Sequence, residues 1–402
     1  MSSHGAAVDP WAEMADELAE LKDQKRLRQR SLIDGKAGRQ VVWVDGQGGG
    51  RRHKLINWAS NDYAGLAQDR RVINGAARAL RSYGAGATGS RLLGGGLRCH
   101  RRLEQRLAQW LGVDDCLVTT TGYQANLALL VALANSSEDV VIVDRLAHAS
   151  TYDGIRLSAA SLLRFAHNDL EDLERKLALS VASRRRLVCV ESVYSMDGDE
   201  APLRAIAEIC ARHQALLVVD EDHALGVLGP GGRGLCAELG VQPAALVGTC
   251  SKGLGAQGGF IAASQTVVDL VVNRGRSFIF STAPVPAAMG AAVAALDVLR
   301  REPDIPERIQ AQSAQLRAAL AEQGWSVPAG RSAIIPVLVG DEQRSLDLAL
   351  ALRQAGHYAP AIRPPTVPAA GCRLRLNPSL AHTKADLRRL IAAFAELQTS
   401  RS

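Results

Sequence analysis

Aromatic residues are scarce in this chain: five Trp, six Tyr and five Phe make up 4% of 402 residues. No aromatic interleaves the arginine clusters to stack on bases, and no reader motif accompanies them, which argues against a nucleic-acid partner. Apolar runs of the roughly 18 residues needed to span a bilayer are also missing. The opening MSSHGAAVDPWAEMADELAE lacks the apolar centre of a signal peptide. Neither a membrane nor an export route is therefore expected. The seven cysteines (99, 116, 189, 210, 236, 250 and 372) are dispersed and form no C-x-x-C. That spacing argues against a zinc site and a disulfide framework, and fits a reducing cytoplasm.

Hydrophobic residues at 47% and charged residues at 22% are enough to build a packed core. At this length one core usually stops growing, so a large domain plus a smaller one is expected. Net charge is +6 and the pI about 9.0. The basic clusters at 25–30, 51–54 and 184–186 read as solvated arginine surface, or as a docking face for an acidic or phosphorylated partner.

Trp11, Met14, Leu18 and Leu21 recur at helical spacing and predict an N-terminal helix, followed by strands at VVWVDG and KLINWAS. From about residue 60, the short apolar runs CLVTT, VVIVD, LVCVES, ALLVVD and ALVGTC alternate with amphipathic stretches. Strands apolar on both faces and separated by helices imply a mostly parallel sheet covered on both sides. Long helical patterns after about residue 290, then AIIPVLVG and CRLRLN, predict a small α+β unit. The expected division is 1–58 for a helix and strands joining the small domain, 59–290 for the large domain, and 291–402 for the small one.

In such a sheet, chemistry gathers at the carboxyl ends of the strands. Here those ends bring His148, Glu191, Ser195, Asp220, His223, Thr249 and Lys252 toward one edge. A dry lysine, an acid one strand earlier and an imidazole beside them meet the needs of pyridoxal 5'-phosphate (PLP). The amine attacks the aldehyde once desolvation lowers its pKa, and the carboxylate keeps the ring nitrogen protonated. Gly122 and Tyr123 open a helix whose first amides suit a phosphate, Thr249 can add a hydroxyl, and His148 can cover the ring. Gly253–Gly258 also fits G-x-G-x-x-G, the dinucleotide fingerprint. That reading fails because FIAAS after Gly258 predicts a strand, and the next acid, Asp269, is only 11 positions on. The glycines read instead as room for the lysine and the ring. Arg28 reads equally as part of its basic cluster, and His100 and His167 as structural.

NWASNDYAGL, TGYQANLAL, DRLAHAS, RFAHNDL, ESVYSMDGDEAPL, VVDEDHALGVLG, GTCSKGLG, FSTAPVP and IRPPTVP stand in the order of a known family. Over about residues 55–385 the chain resembles the α-oxoamine synthases, homodimeric PLP enzymes of transferase fold type I. Their fold is a mostly parallel seven-stranded sheet plus a small α+β domain. FAHND and IRPPTVP are most similar to the oxononanoate branch. The resemblance implies that Lys252 holds PLP, Asp220 pairs its ring nitrogen, His223 its ring hydroxyl, and His148 stacks on the ring. It further implies cofactor contacts from Gly122, Tyr123, Ser195 and Thr249, and from Thr282 across a dimer interface. Arg28, Asn61, Arg363 and Thr366 match substrate-side positions, and a guanidinium binds carboxylate bidentately. The implied reaction is decarboxylative condensation of L-alanine with a pimeloyl thioester carried by coenzyme A or a carrier protein. A sister enzyme using another amino acid or acyl group, or a PLP binder without turnover, stays open. Asp222 stands where the family usually has a small residue beneath the ring, so Asp222→Ala is expected to retain or improve activity.

Overall fold

The computed structural model describes residues 9–24, 26–28, 30, 32–45 and 50–399; Lys25 of the first basic cluster and residues 46–49 of the loop between the first strands lie outside them. Fourteen strands are present among the described residues. They are β1 (Leu32–Asp34), β2 (Gln40–Val44), β3 (Arg52–Asn57), β4 (Asp115–Thr119), β5 (Val140–Asp144), β6 (Ser161–Phe165), β7 (Arg186–Glu191), β8 (Leu216–Asp220), β9 (Ala245–Thr249), β10 (Gly259–Ala263), β11 (Ile335–Leu338), β12 (His357–Tyr358), β13 (Ala361–Ile362) and β14 (Arg373–Leu376).

Seven of them form the main sheet in the order β4-β10-β9-β8-β7-β5-β6. Only β10 runs against its neighbours, pairing antiparallel with both β4 and β9. The predicted seven-stranded, mostly parallel sheet is thus what the chain forms. Every residue of β4, β5, β9 and β10 is buried, because helices cover both faces. Leu103, Leu107, Ile206, Met289 and Leu296 pack on one face; Ala125, Leu129, Val268 and Val271 pack on the other. The helix Pro286–Arg301 carries buried residues from Met289 to Leu299 into the main core, and so spans the boundary expected at 290 and 291.

The other sheets lie at the chain's two ends. β11, β14 and β13 make an antiparallel sheet backed by helices, with Trp325 edge-on to Phe394 in its core. β1, β2 and β3 are completed by β12, which pairs parallel with β3 through His357↔Ile56 and Tyr358↔Asn57. Trp58 locks this junction by donating from Nε1 to His357 Nδ1 (3.0 Å) and stacking on His382 at 4.0 Å between centroids.

The N-terminal helix forms as its spacing predicts, over Pro10–Asp23, with Asp9 accepting from Trp11 N (3.0 Å) and Pro10 opening the first turn. Among the described residues its apolar stripe is not covered: Trp11 is 77% exposed, and Met14, Leu18 and Leu21 are exposed too.

Candidate active site

Parallel register aligns Glu191 of β7 with Asp220 of β8, and Asp220 with Val247 of β9. Three chain segments therefore leave the sheet side by side. Asp220 is held on both oxygens: Oδ2 accepts from Asn126 Nδ2 (2.9 Å), and Oδ1 from the backbone N–H of Asp222 (3.0 Å). Burial, and then the charge of Asp222, push its carboxyl up to about 7. Glu191 is buried, and burial followed by the charge of Asp220 raises it well above the carboxylate range.

Lys252 does not reach into water; only 15% of its side chain is exposed. It is not unpaired either. Nζ donates to Asp222 Oδ2 at 2.8 Å. Burial opposes the charge, but the carboxylates of Asp222 and then Asp220 outweigh it, and the ammonium titrates above its ordinary range. The expected lowering is thus reversed, because Asp222 supplies a counter-charge that desolvation alone leaves out. Asp222 Oδ1 is buried with no hydrogen-bond partner among the described residues. Its carboxylate also lies 3.0 Å from where a Cβ on Gly122 would stand.

The glycines around Lys252 serve backbone approach rather than open room. A Cβ on Gly253 would fall 2.2 Å from Leu225 O, and one on Gly255, at φ +57°, would fall 2.4 Å from Ala67 N.

His148 caps the helix Ala149–Leu157, its Nδ1 accepting from Ser150 N (3.3 Å) and lying 2.7 Å from Ser150 Oγ. Ser150 Oγ in turn accepts from Asn126 Nδ2 (3.0 Å), so one amide ties His148 to Asp220. Burial and then the charge on Lys252 lower the His148 pKa, leaving a neutral ring. His223 is buried, and the same two causes, joined by Arg375, hold it well below the ordinary imidazole range. Its Nδ1 lies 2.7 Å from the hydroxyl of Tyr63, itself fully buried.

Gly122 and Tyr123 begin the helix Gly122–Leu133, with Thr121 accepting from Gln124 N (3.2 Å). Tyr123 bonds Asp153 through its hydroxyl and meets His148 edge-on. Thr249 is buried and donates to Gly258 O (2.7 Å), so its hydroxyl proton is committed, while Ser251 Oγ stands exposed 2.8 Å from it. Ser281 accepts from Gln124 Nε2 (3.0 Å), and Thr282 is exposed beside Thr120.

On the substrate side, Arg28 Nη2 donates to Thr366 Oγ1 (3.1 Å), joining two predicted residues 338 positions apart. Arg363 is matched by Glu342 at 2.7 Å. Asn61 Oδ1 accepts from Arg375 Nη1 (3.1 Å) and Asn377 Nδ2 (3.2 Å). Arg375, which sequence reasoning missed, is the unexpected member. It is buried, donates Nε to the backbone O of Ser195 (2.7 Å), and has no ion-pair partner among the described residues. A buried guanidinium facing only neutral acceptors is suited to an incoming carboxylate. Its only sequence signal was the charged position inside the strand CRLRLN. Asn126 gave none, being one polar residue in an apolar helix.

The sequence pattern of the family described as Aminotransferase class I and II matches residues 53–394. The chain belongs to that family. It is 46% identical to the 8-amino-7-oxononanoate synthase of Anaeromyxobacter dehalogenans strain 2CP-1, over 94% of this chain and 93% of that one. The corresponding protein of Geobacter sulfurreducens is 40% identical over 96% and 97% of the two chains. Among solved structures, serine palmitoyltransferase from S. paucimobilis with bound PLP–myriocin superposes with a TM-score of 0.88, at 30% identity, covering 97% of this chain and 98% of that one.

The chain is accordingly a PLP-dependent transferase, and its own residues fit that cofactor. A lysine, a buried carboxylate, two neutral imidazoles and a helix start without a Cβ converge on one end of the sheet. The partnerless Asp222 Oδ1 leaves a buried acceptor facing the same space.

Proposed function

We propose that the chain condenses L-alanine with a pimeloyl thioester, releasing carbon dioxide and giving 8-amino-7-oxononanoate for biotin synthesis. The observation that carries this reading is Lys252 Nζ, desolvated at the carboxyl end of the sheet beside two carboxylates. The relatives bearing that name at 40–46% identity support the substrates.

PLP, when bound, supplies an electron sink for the negative charge left at alanine Cα. Lys252 would hold the cofactor, and its free amine would carry the Cα proton. Asp220, fixed by Asn126, keeps the ring nitrogen protonated; His148 and His223 orient the ring and its hydroxyl. The first amides of the Gly122 helix, with the exposed Ser251 Oγ beside Thr249, would receive the phosphate, and Ser195 would also touch the cofactor. Arg375, held by Asn61 and Ser195, binds the alanine carboxylate. Arg28 and Thr366 face the acyl chain. At Arg363 a substrate carboxylate competes with Glu342, which makes it the weaker acyl anchor. The uncovered stripe of the N-terminal helix and the exposed Phe280 next to Thr282 support a homodimer with Thr282 serving the second site. Seven buried free cysteines support a cytoplasmic setting.

The likeness to serine palmitoyltransferase favours one second reading, a sister enzyme joining a different amino acid to a longer acyl chain. A panel of alanine, glycine and serine against pimeloyl and palmitoyl thioesters, read by carbon dioxide release, separates the two. Alanine with the pimeloyl thioester is expected to give the highest kcat/KM, and Lys252→Ala to abolish both turnover and the visible absorbance of bound PLP. Turnover retained by Lys252→Ala overturns the assignment, and alanine bound without carbon dioxide release points to a binder lacking turnover.

A further inference from the structure

Asp222 carries no step of the proposed reaction, yet its carboxylate accepts from the reacting amine at 2.8 Å. We propose that the Asp222–Lys252 ion pair is a latch, which must open before Lys252 can bond the cofactor, so that Asp222 sets the pH range of cofactor capture. The inference rests on the PLP reading of the site.

An ammonium has no lone pair and cannot attack an aldehyde. Capture requires the pair to part and one proton to leave Lys252 for solvent. The freed lone pair then forms the C–N bond to the aldehyde carbon, and the carbonyl oxygen departs as water. A carboxylate held 2.8 Å from Nζ opposes the first of these events. Its side chain lies against Gly122 at the helix start, so it also occupies space on the phosphate side.

The other groups facing the amine do not replace it. Glu191, from β7, is raised well above the carboxylate range, first by burial, which disfavours its charge. Asp220, from β8, titrates at about 7 and so gives only partial charge there. His148, before its helix, and His223, after β8, are held neutral first by burial. Burial raises Tyr63, from the N-terminal segment, and Cys250, after β9, which keeps both protonated. Arg375, on β14, acts on His223, whose charged form it disfavours. That leaves Asp222 as the carboxylate in contact with Nζ.

The test uses the full-length apoprotein and two readouts across pH 6 to 10.5. One is the rate of PLP capture, followed by visible absorbance. The other is the labelling of Lys252 by an amine reagent, quantified by mass spectrometry, which needs no cofactor. Asp222→Asn keeps the shape and removes the charge; Asp222→Ala removes both charge and bulk, and agreement between the two shows that the result follows charge rather than fit. Both variants are expected to move the labelling midpoint down by about one pH unit or more, and to capture PLP about tenfold faster at pH 7, with the capture profile displaced by the same amount. A wild type that loads PLP while neither midpoint nor profile moves in Asp222→Asn overturns the latch and leaves the function standing. If no form of the protein captures PLP at any pH, the functional reading and the latch fall together.

Discussion

At the scale of single residues, the site divides by how much each side chain announces itself. Lys252, Asp220, His148 and His223 sit just past apolar runs, where a polar residue has few reasons to be, and that position made them legible. Arg375 hid in an alternating strand, where charge usually means a solvent-facing position; only the folded chain shows β14 buried throughout. Asp222 was legible as an odd residue but not as a partner, because the meeting of Nζ and Oδ2 depends on two loops crossing. For Arg375 the expectation is specific. Its replacement by Ala removes a charge-assisted contact of about 1.5–3 kcal/mol, so kcat/KM for alanine falls about 10- to 150-fold, chiefly through KM. Arg375→Lys keeps charge without the fork and recovers only part of the loss, as steady-state kinetics with varied alanine would show.

At the scale of elements, strands buried on both faces could be read directly, since an unbroken apolar run has no other economical explanation. β6 could not. It is the sheet's edge strand, four of its five residues are exposed or half-buried, and SLLRF carries no such run. The loop bearing Lys252 shows the opposite lesson. Its glycines suggest freedom, whereas Gly253 is pinned against the backbone of Leu225 and Gly226, the latter at φ +80°. Adding one methyl at Gly253 forces those backbones apart. Gly253→Ala is expected to destabilise the protein by about 1–3 kcal/mol and to lower PLP occupancy, measured by urea unfolding and by absorbance of the same sample.

At the scale of the whole molecule, buried histidines set the pH response. Burial works against charge on His167, but Asp144 (3.0 Å) and Asp199 (2.8 Å) on its two nitrogens lift it to about 9. Its stabilisation is complete below the unfolded value of about 6.5 and fades as pH rises through about 9. His357 and His382 run the other way. Burial holds both at about 4, so the unfolded chain takes up protons first and stability drops as pH falls from about 6.5 toward 4. Maximum stability is therefore expected near pH 6.5. His167→Gln should flatten the alkaline limb, worth at most about 3 kcal/mol, in urea midpoints collected from pH 4 to 9.5. An unchanged alkaline limb in that variant would place its origin elsewhere.

The pairing of β3 with β12 reaches further. Trp58 and its anchor His357 are 299 positions apart, so during synthesis the hydrogen-bonding rim of β3 has no native neighbour until nearly the whole polypeptide has left the ribosome. An unpaired rim bordered by Leu55 and Ile56 is an adhesive surface for other nascent chains. Production of this enzyme in quantity is therefore exposed to premature termination upstream of His357, since such fragments would keep the open rim and lose the strand that closes it.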